Sequence, residues 1–548
     1  MTILIVGAGP TGLMAAASIA RFGVAVRLID RASEPPADRS RAAVVQPRTL
    51  EAFDNLGIAQ EAIGAGTPVD SVELYKPSGT HATLTFAEPG WLDSPYDKLL
   101  SLPQDQTERI LTELCTRLGI TIERGVQLVG LSQSADAVRA TLRHADGANE
   151  TVDAEWVVGA DGAHSTVREL SGLTFPGLTY ADDGLIGDVD IEWKLSHDSV
   201  SLCPRPEGFL LAFPLPGDRH FRTIMIVPSV RPTEDRTLSM EEFRSRLEYM
   251  TPHGCGSGSG SAPPKILRSH WLTRYRLHRR GVTSYSRGRV FVGGDAAHIH
   301  SPVGAQGMNT GIQDAYNLAW KLALVARGEA PAWLLETYDE ERRHIGELLL
   351  NGTDKAFGFV AGRGWFARTV RRIAPTLAAR ALSAPVIGKT LARFVSQLQI
   401  KYRESRLSVE GSHAASLGAH APHAGDRAPD VHLSSANGQP VRLFDEFREP
   451  RHVLVVFEGN STTANAAPGD GALPENMKQL VKMIRLTRAT TGSRDGARLD
   501  SDGAAHDRYG AANGALYLVR PDGYIGFRGS LEDWSDLRTD LARRFLVS

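Results

Sequence analysis

The chain opens on a short apolar, β-branched run, Thr2 to Val6, followed by a glycine turn from Gly7 to Gly12 and an alanine-rich stretch, Leu13 to Phe22, closed by Gly23. A second run, Val24 to Ile29, ends in Asp30. Short apolar runs bounded by turn residues read as buried strands and the alanine-rich stretch as a helix, so the pattern predicts a β-α-β unit at the N-terminus. Trp156 to Ala160 and Arg289 to Val292 repeat the buried-strand pattern, and each runs into a glycine and an aspartate, Asp161-Gly162 and Gly294-Asp295. Between them, Phe209 to Phe213 and His220 to Ile226 belong to a region rich in strand patterns, which predicts an inserted β-rich domain. From Ile312, apolar residues recur at Ala315, Ala319 and Leu322, a helical spacing that stops before Gly328. Helical character continues from Glu336 to Leu350 and through the Ala/Arg-rich residues 355–400. Pro252 to Pro264 is a Gly/Ser-rich flexible loop, and a Pro/His/Gly cluster from Ala419 to Pro429 precedes the last region. The breaks predict an α/β chain: a Rossmann-like domain in two parts (1–174 and 276–350), the inserted domain (175–275), a helical connection (351–415) and a last domain (416–548).

Composition narrows the class. At 548 residues the chain has room for about three domains, and 42% hydrophobic with 23% charged residues is the make-up of a soluble globular protein, which excludes disorder and fibre. A net charge of −2 provides no field for nucleic acid or an anionic membrane, so the expected partner is small. Three scattered cysteines (Cys115, Cys203, Cys255) make neither a disulfide framework nor a Cys/His zinc cluster; no metal is expected, and a cytoplasmic location is. Met1 to Ala20 lacks charge, yet it also lacks a basic n-region and carries Gly7, Gly9, Pro10 and Gly12, so we reject an export signal. No other apolar run approaches the roughly 18 residues of a membrane span.

The glycine turn carries the clearest chemistry. Gly7-Ala-Gly9-Pro10-Thr11-Gly12 lies between a strand and a helix, where a dinucleotide pyrophosphate meets a helix N-terminus. Gly7 permits the turn, Gly9 the approach of phosphate, and Gly12 the packing of helix on sheet. Asp30, with Arg31 beside it, follows about 20 residues later, where an acid accepts hydrogen bonds from ribose hydroxyls. This unit alone does not separate NAD from FAD.

Two further segments do. Gly159-Ala-Asp161-Gly162-Ala-His-Ser165-Thr-Val-Arg168, and Gly293-Gly-Asp295-Ala-Ala-His298 through Pro302-Val-Gly304-Ala-Gln-Gly307-Met308-Asn309, resemble the DG and GD motifs of class A flavoprotein monooxygenases of the para-hydroxybenzoate hydroxylase type. The resemblance extends over most of residues 1–350 and includes Arg41 to Glu51 and Pro103 to Glu108. It implies FAD as cofactor and NAD(P)H, NADPH favoured, as transient reductant near the DG segment. Arg41 would contact the pyrophosphate or the nicotinamide cofactor, Gln104 the ribityl side and Asp295 the ribityl hydroxyls. The helix after Gly304 would turn its amides towards the flavin N1/O2 edge, where negative charge develops on reduction. Plainer readings stand beside these: Asp161 as the cap of the next turn, Arg41 as a solvated surface residue, Gln104 as a helix cap, and His298 as a support for its loop.

Residues 425–548 resemble the C-terminal thioredoxin-like domain of phenol hydroxylases, pentachlorophenol monooxygenase and polyketide aromatic hydroxylases, through Gly425 to Asp430, Val453 to Phe457 and Leu518 to Tyr524. The CxxC motif is missing, since no cysteine lies beyond Cys255, so dithiol exchange is excluded and the domain is expected to be structural, a candidate for homodimer contact. The implied reaction is hydroxylation of a phenolic or polycyclic aromatic substrate: NAD(P)H reduces FAD, O2 adds at flavin C4a, and the hydroperoxide delivers oxygen to the ring. Water must be kept from that intermediate, and a base or relay should sit on the inserted sheet. His220, Arg222, Tyr275 and Tyr180 are the candidates, each also explicable as a strand-surface or core residue. Baeyer–Villiger oxidation, epoxidation or dehalogenating hydroxylation on the same flavin, or a non-enzymatic flavin scaffold, are the alternatives.

Overall fold

Ile3–Val6 is buried at every position because it is covered on both faces, the usual state of a parallel strand and the reason its sequence does not alternate. It pairs in parallel with Val26–Asp30 on one side and Trp156–Gly159 on the other, and Val290–Val292 extends the sheet beyond the latter. The six-stranded order is Ser286–Arg287, Val290–Val292, Trp156–Gly159, Ile3–Val6, Val26–Asp30, Ile122–Arg124. The two glycine and aspartate segments therefore follow neighbouring strands and meet at the same sheet end as the first glycine turn. The computed structural model describes residues 2–35, 42–75, 81–85, 91–205, 208–229, 238–252, 263–300, 306–361, 385–435, 437–459, 473–488 and 497–546. Of the expected site residues, Arg41, Pro302 and Gly304 lie outside them, as does most of the Gly/Ser-rich loop.

The inserted region forms an eight-stranded sheet whose long members are Gly177–Glu192, Lys265–Gly281, His220–Pro228, Gly208–Pro214 and Ser199–Arg205. It also takes Ser71–Tyr75, parallel to Ser199–Arg205, and His81–Thr85 from the first part of the chain. One face carries Phe221, Met225 and Val227 and is covered by the amphipathic helix Met240–Met250 through Phe243, Leu247 and Met250. The other face carries Ile224, Ile226, Phe209, Leu211 and Phe213 and packs on Ala43 and Val44. The sheet thus leans on the segment that follows Arg41.

In the last domain, His452–Phe457 pairs in parallel with Val481–Thr487 and antiparallel with Ala515–Val519, which turns back into Ile525–Gly529; helix Trp534–Arg544 completes a thioredoxin-like core. Alternation assigns Val453, Val455 and Phe457 to the domain's own core, and Leu454 and Val456 to the core shared with the first domain. Glu458 and Gly459 follow where a dithiol would stand in a redox-active relative of this fold. The free cysteines among the described residues, Cys115 and Cys203, are buried in other domains, and burial pushes the Cys115 thiol up to about 12. Among the described residues no helix is long and apolar enough to cross a membrane.

Candidate active site

The three glycines of the first turn divide into two kinds. A Cβ on Gly12 would lie 1.8 Å from the Gly7 carbonyl oxygen, and one on Gly7, whose φ is +103°, would lie 2.4 Å from that of Ala160. Both are fixed by packing of protein on protein. A Cβ on Gly9 would meet nothing within 4 Å. Behind that open space helix Pro10–Ala20 begins with proline at its N-terminus and no side-chain cap, so its first amides face outward with the positive end of the helix dipole. Such a cradle fits a pyrophosphate. Asp30 accepts hydrogen bonds from the Ala8 amide at 2.6 Å and the Ala32 amide at 2.8 Å, which ties the glycine turn to the end of the second strand, and Arg31 is exposed beside it.

Thr11 meets the GD loop. Cβ atoms on Gly294 (φ +60°) or Gly311 would each lie 2.5 Å from Thr11 Oγ1, so these glycines let the first helix and helix Gly307–Ala326 cross closely over the loop. The loop is held from below by Asp314, which is wholly buried. One of its oxygens accepts from the Gly294 amide (3.0 Å) and His298 Nε2 (2.8 Å), the other from Arg342 Nε (2.7 Å). Burial opposes the charge on Asp314, but Arg342 and His298 outweigh it and hold the carboxyl below the usual range. The carboxylate of Asp295 is exposed on the open side of the same loop.

The remaining expected contacts join segments around this centre. Asn309 Nδ2 donates to the Val44 carbonyl at 2.8 Å and its Oδ1 accepts from the Gln46 amide at 2.9 Å, clasping the segment after Arg41 to the start of helix Gly307–Ala326. Gly307 packs near His300, and Met308 against the core. Gln104 begins helix Gln104–Arg117; its amide donates to the Ala42 carbonyl at 3.1 Å, and its side-chain Nε2 donates to Glu108 at 2.8 Å. Asp161 accepts from Ser165 Oγ (2.5 Å) and the Val167 amide (3.1 Å) and so braces the turn whose helix, Thr166–Leu170, is capped by Ser165. Arg168, read from sequence only as part of a motif, donates to the carbonyls of Ala296 (3.1 Å) and Ala163 (2.9 Å) and thereby joins the DG and GD segments.

On the substrate side the four candidates separate, and Tyr180 packs against the apolar sheet face. Arg222 is wholly buried, a core position rather than a strand-surface one. Its guanidinium forms a bidentate pair with Asp188 (2.7 and 2.6 Å), donates to the Ala42 carbonyl, and lies 5.4 Å from the Trp271 ring, while Trp271 Nε1 donates to Asp188 at 3.0 Å. A buried, paired arginine of this kind positions the segment after Arg41 against the sheet. Tyr275 lies across Gly184 and packs on the apolar face that carries Ile224 and Ile226; a Cβ on Gly184 would stand 2.3 Å from its ring. His220 lies at the end of its strand, with His270 and Asp190.

Sequence reading missed Asp314 and Arg342. A signal existed: Thr310, Gln313, Asp314, Asn317 and Lys321 form a polar stripe at helical spacing, a pattern normally assigned to solvent but here entirely buried.

Residues 1–353 match the FAD binding domain family, and residues 421–546 match the family of aromatic-ring hydroxylase C-terminal domains. The chain belongs to the FAD-dependent aromatic-ring hydroxylases. This hydroxylase is 35% identical to the 6-methylpretetramide 4-monooxygenase of Streptomyces rimosus, covering 100% of this chain and 94% of that protein. It is 32% identical to the pentachlorophenol 4-monooxygenase of Sphingobium chlorophenolicum, over 100% and 96%. The solved structure of the anhydrotetracycline hydroxylase from Streptomyces rimosus superposes with a TM-score of 0.75 at 28% identity, over 100% and 99% of the two chains. The hydroxylase is thus an NAD(P)H-dependent flavoprotein monooxygenase with FAD as its cofactor.

Proposed function

We propose that this hydroxylase inserts one oxygen atom into a phenolic ring of a fused polycyclic aromatic substrate, with NADPH as the favoured reductant. The observation that supports it is the apolar sheet face of Ile224, Ile226, Phe209, Leu211 and Phe213, which packs on the segment following Arg41 and is continued by Ala392 of helix Pro385–Val395 and by Leu398. Such a face suits a flat, apolar ring system. The names of the relatives point the same way: one is named for 6-methylpretetramide, one for anhydrotetracycline and one for pentachlorophenol.

FAD supplies two-electron chemistry and the activation of oxygen; the chain supplies its placement and the exclusion of water. The amides at Gly9 to Gly12 would hold the pyrophosphate, Asp30 the ribose, and Asp295 the ribityl chain. The N-terminus of helix Gly307–Ala326 would carry the negative charge of the reduced ring. The Asp314 cluster fixes the GD loop, and the Arg222 and Asp188 pair fixes Ala42. On the substrate face Tyr275 packs on the apolar surface and would orient the substrate hydroxyl.

The test is aerobic oxidation of NADPH and NADH by the FAD-loaded protein, with and without simple phenols and fused polycyclic phenols, and products analysed by mass. Polycyclic-stimulated turnover with a gain of 16 mass units, the mass of one oxygen atom, supports the reading. Turnover stimulated by simple phenols alone overturns the polycyclic part, and a gain of oxygen with ring expansion overturns the hydroxylation. Tyr275→Phe should lower kcat and raise the fraction of NADPH converted to peroxide, while leaving FAD affinity unchanged.

A further inference from the structure

The far end of the inserted sheet gathers three groups to which the proposed function assigns no role. Asp190 sits on the central strand, directly opposite His220 on one neighbour. On the other neighbour the register passes from Asp188↔Trp271 to Val189↔Ser269, which leaves His270 as the extra residue of a β-bulge. A bulge re-aims a side chain, and here it brings His270 beside His220, with ring centroids 4.5 Å apart. One nitrogen of each imidazole and a carboxylate oxygen of Asp190 all lie within 4.8 Å of one another.

The protonation pattern suits a cation. His220 Nδ1 faces the Pro216 carbonyl at 3.2 Å, and a carbonyl only accepts, so this nitrogen carries the proton and leaves the lone pair on Nε2. That Nε2 is buried and has no hydrogen-bond partner. His270 Nε2 donates to Asp190 Oδ1 at 3.0 Å; with the ring proton moved to Nδ1, the same Nε2 would offer its lone pair to a metal ion. Desolvation and the neighbouring His270 lower the pKa of His220, favouring the neutral, ligating form. A metal bond requires about 2.0–2.2 Å from each donor, a small closing of side chains that span three hydrogen-bonded strands.

We propose that Asp190, His220 and His270 form a binding site for one divalent transition-metal ion of the zinc class, which staples three adjacent strands of the substrate-side sheet. Two imidazoles and one carboxylate select zinc, nickel, copper or cobalt over magnesium or calcium, and the remaining coordination positions face water. The next residues inward on the same face are Asp188 and Arg222, so the ion would anchor the end of the sheet that holds Ala42.

The FAD-loaded protein, stripped with chelator and exchanged into a non-coordinating buffer, should bind one equivalent of Zn2+ by calorimetry with micromolar or tighter affinity, and Mg2+ not measurably. His220→Ala, His270→Ala and Asp190→Asn should each weaken this binding at least about 100-fold, more than loss of an outer hydrogen bond would. Flavin absorbance and melting temperature in chelator should stay at the parent values, which shows that the variants are folded. His144→Gln, which alters the unrelated His144 and Glu150 pair, should bind as the parent does. Absence of a one-equivalent site in the parent, or binding that survives all three ligand substitutions, overturns the proposal.

Discussion

Two buried carboxylates on neighbouring helices, Asp314 and Glu341, do different work. Asp314 grips a backbone amide and a histidine of the GD loop. Glu341, on helix Trp333–Ala361, grips another domain: Arg520 donates to both of its oxygens (2.6 and 2.9 Å), alongside Lys321 (2.8 Å), Asn317 (2.7 Å) and Ser405 (2.7 Å). Arg520 also pairs with Asp522, whose Oδ2 accepts from Trp320 Nε1. Burial alone would raise the Glu341 carboxyl, but Arg520 and Lys321 hold it far below its usual range, while burial pulls the Lys321 ammonium down to about 8. Glu341 and Arg342 are consecutive, and a helix turns about 100° per residue, so a single turn points one charge at the C-terminal domain and the next at Asp314. The two clusters meet at Tyr402, which accepts from Arg342 and lies under the Arg520 guanidinium. A buried charge therefore has no fixed meaning: one cluster shapes the GD loop, the other docks a domain without thiols.

The comparison breaks most visibly in stability. Asp314→Asn leaves Arg342 without its carboxylate, and Glu341→Gln leaves Lys321 without one and Arg520 with Asp522 alone; each should lose about 3–5 kcal/mol, measured by denaturant unfolding. Equal losses with different functional consequences would separate loop shaping from docking. The glycine cradle sharpens the contrast. Gly12→Ala forces a Cβ onto the Gly7 carbonyl and should lower the melting temperature of the apoprotein, whereas Gly9→Ala faces open space and should leave that temperature unchanged while weakening FAD about tenfold, or roughly 1.4 kcal/mol.

The smallest effect is one of pH at the domain junction. Burial pushes the Asp430 carboxyl up to about 6, although it accepts from the amides of Val431 and Phe444 at 3.0 Å each. Its folded value lies above its unfolded one, so its contribution to stability is full below the ordinary value of 3.8 and is lost as the pH rises through about 6. Asp430→Asn should therefore gain stability over the parent on moving from pH 4 to pH 7, by on the order of 1–3 kcal/mol in paired denaturant titrations. An unchanged difference across that range would show that Asp430 does not titrate there.

The sheet strands and the glycine fingerprint were legible because both-face burial and turn chemistry are local: Ile3–Val6, Trp156–Gly159, His452–Phe457 and the three glycines each declare themselves within a few residues. The helix that follows the GD loop was legible from its apolar spacing, but the polar stripe along it was not, because sequence does not say that Asp314 and Lys321 face Arg342 and Glu341. Ser71–Tyr75 and His81–Thr85 gave no hint that they extend a sheet more than a hundred residues away. Arg222 was readable as chemistry but not as a buried pair, since its partner Asp188 lies on another strand. His270 was invisible for a similar reason: only the bulge turns it towards His220.

The most direct measurement is flavin titration of the apoproteins of the parent, Asp314→Asn and Glu341→Gln at a temperature where all three remain folded. If Asp314 shapes the flavin loop and Glu341 docks the C-terminal domain, FAD affinity should fall at least about tenfold in Asp314→Asn and stay within about twofold of the parent in Glu341→Gln. Equal losses in both, or an unchanged affinity in Asp314→Asn, would contradict that division of labour.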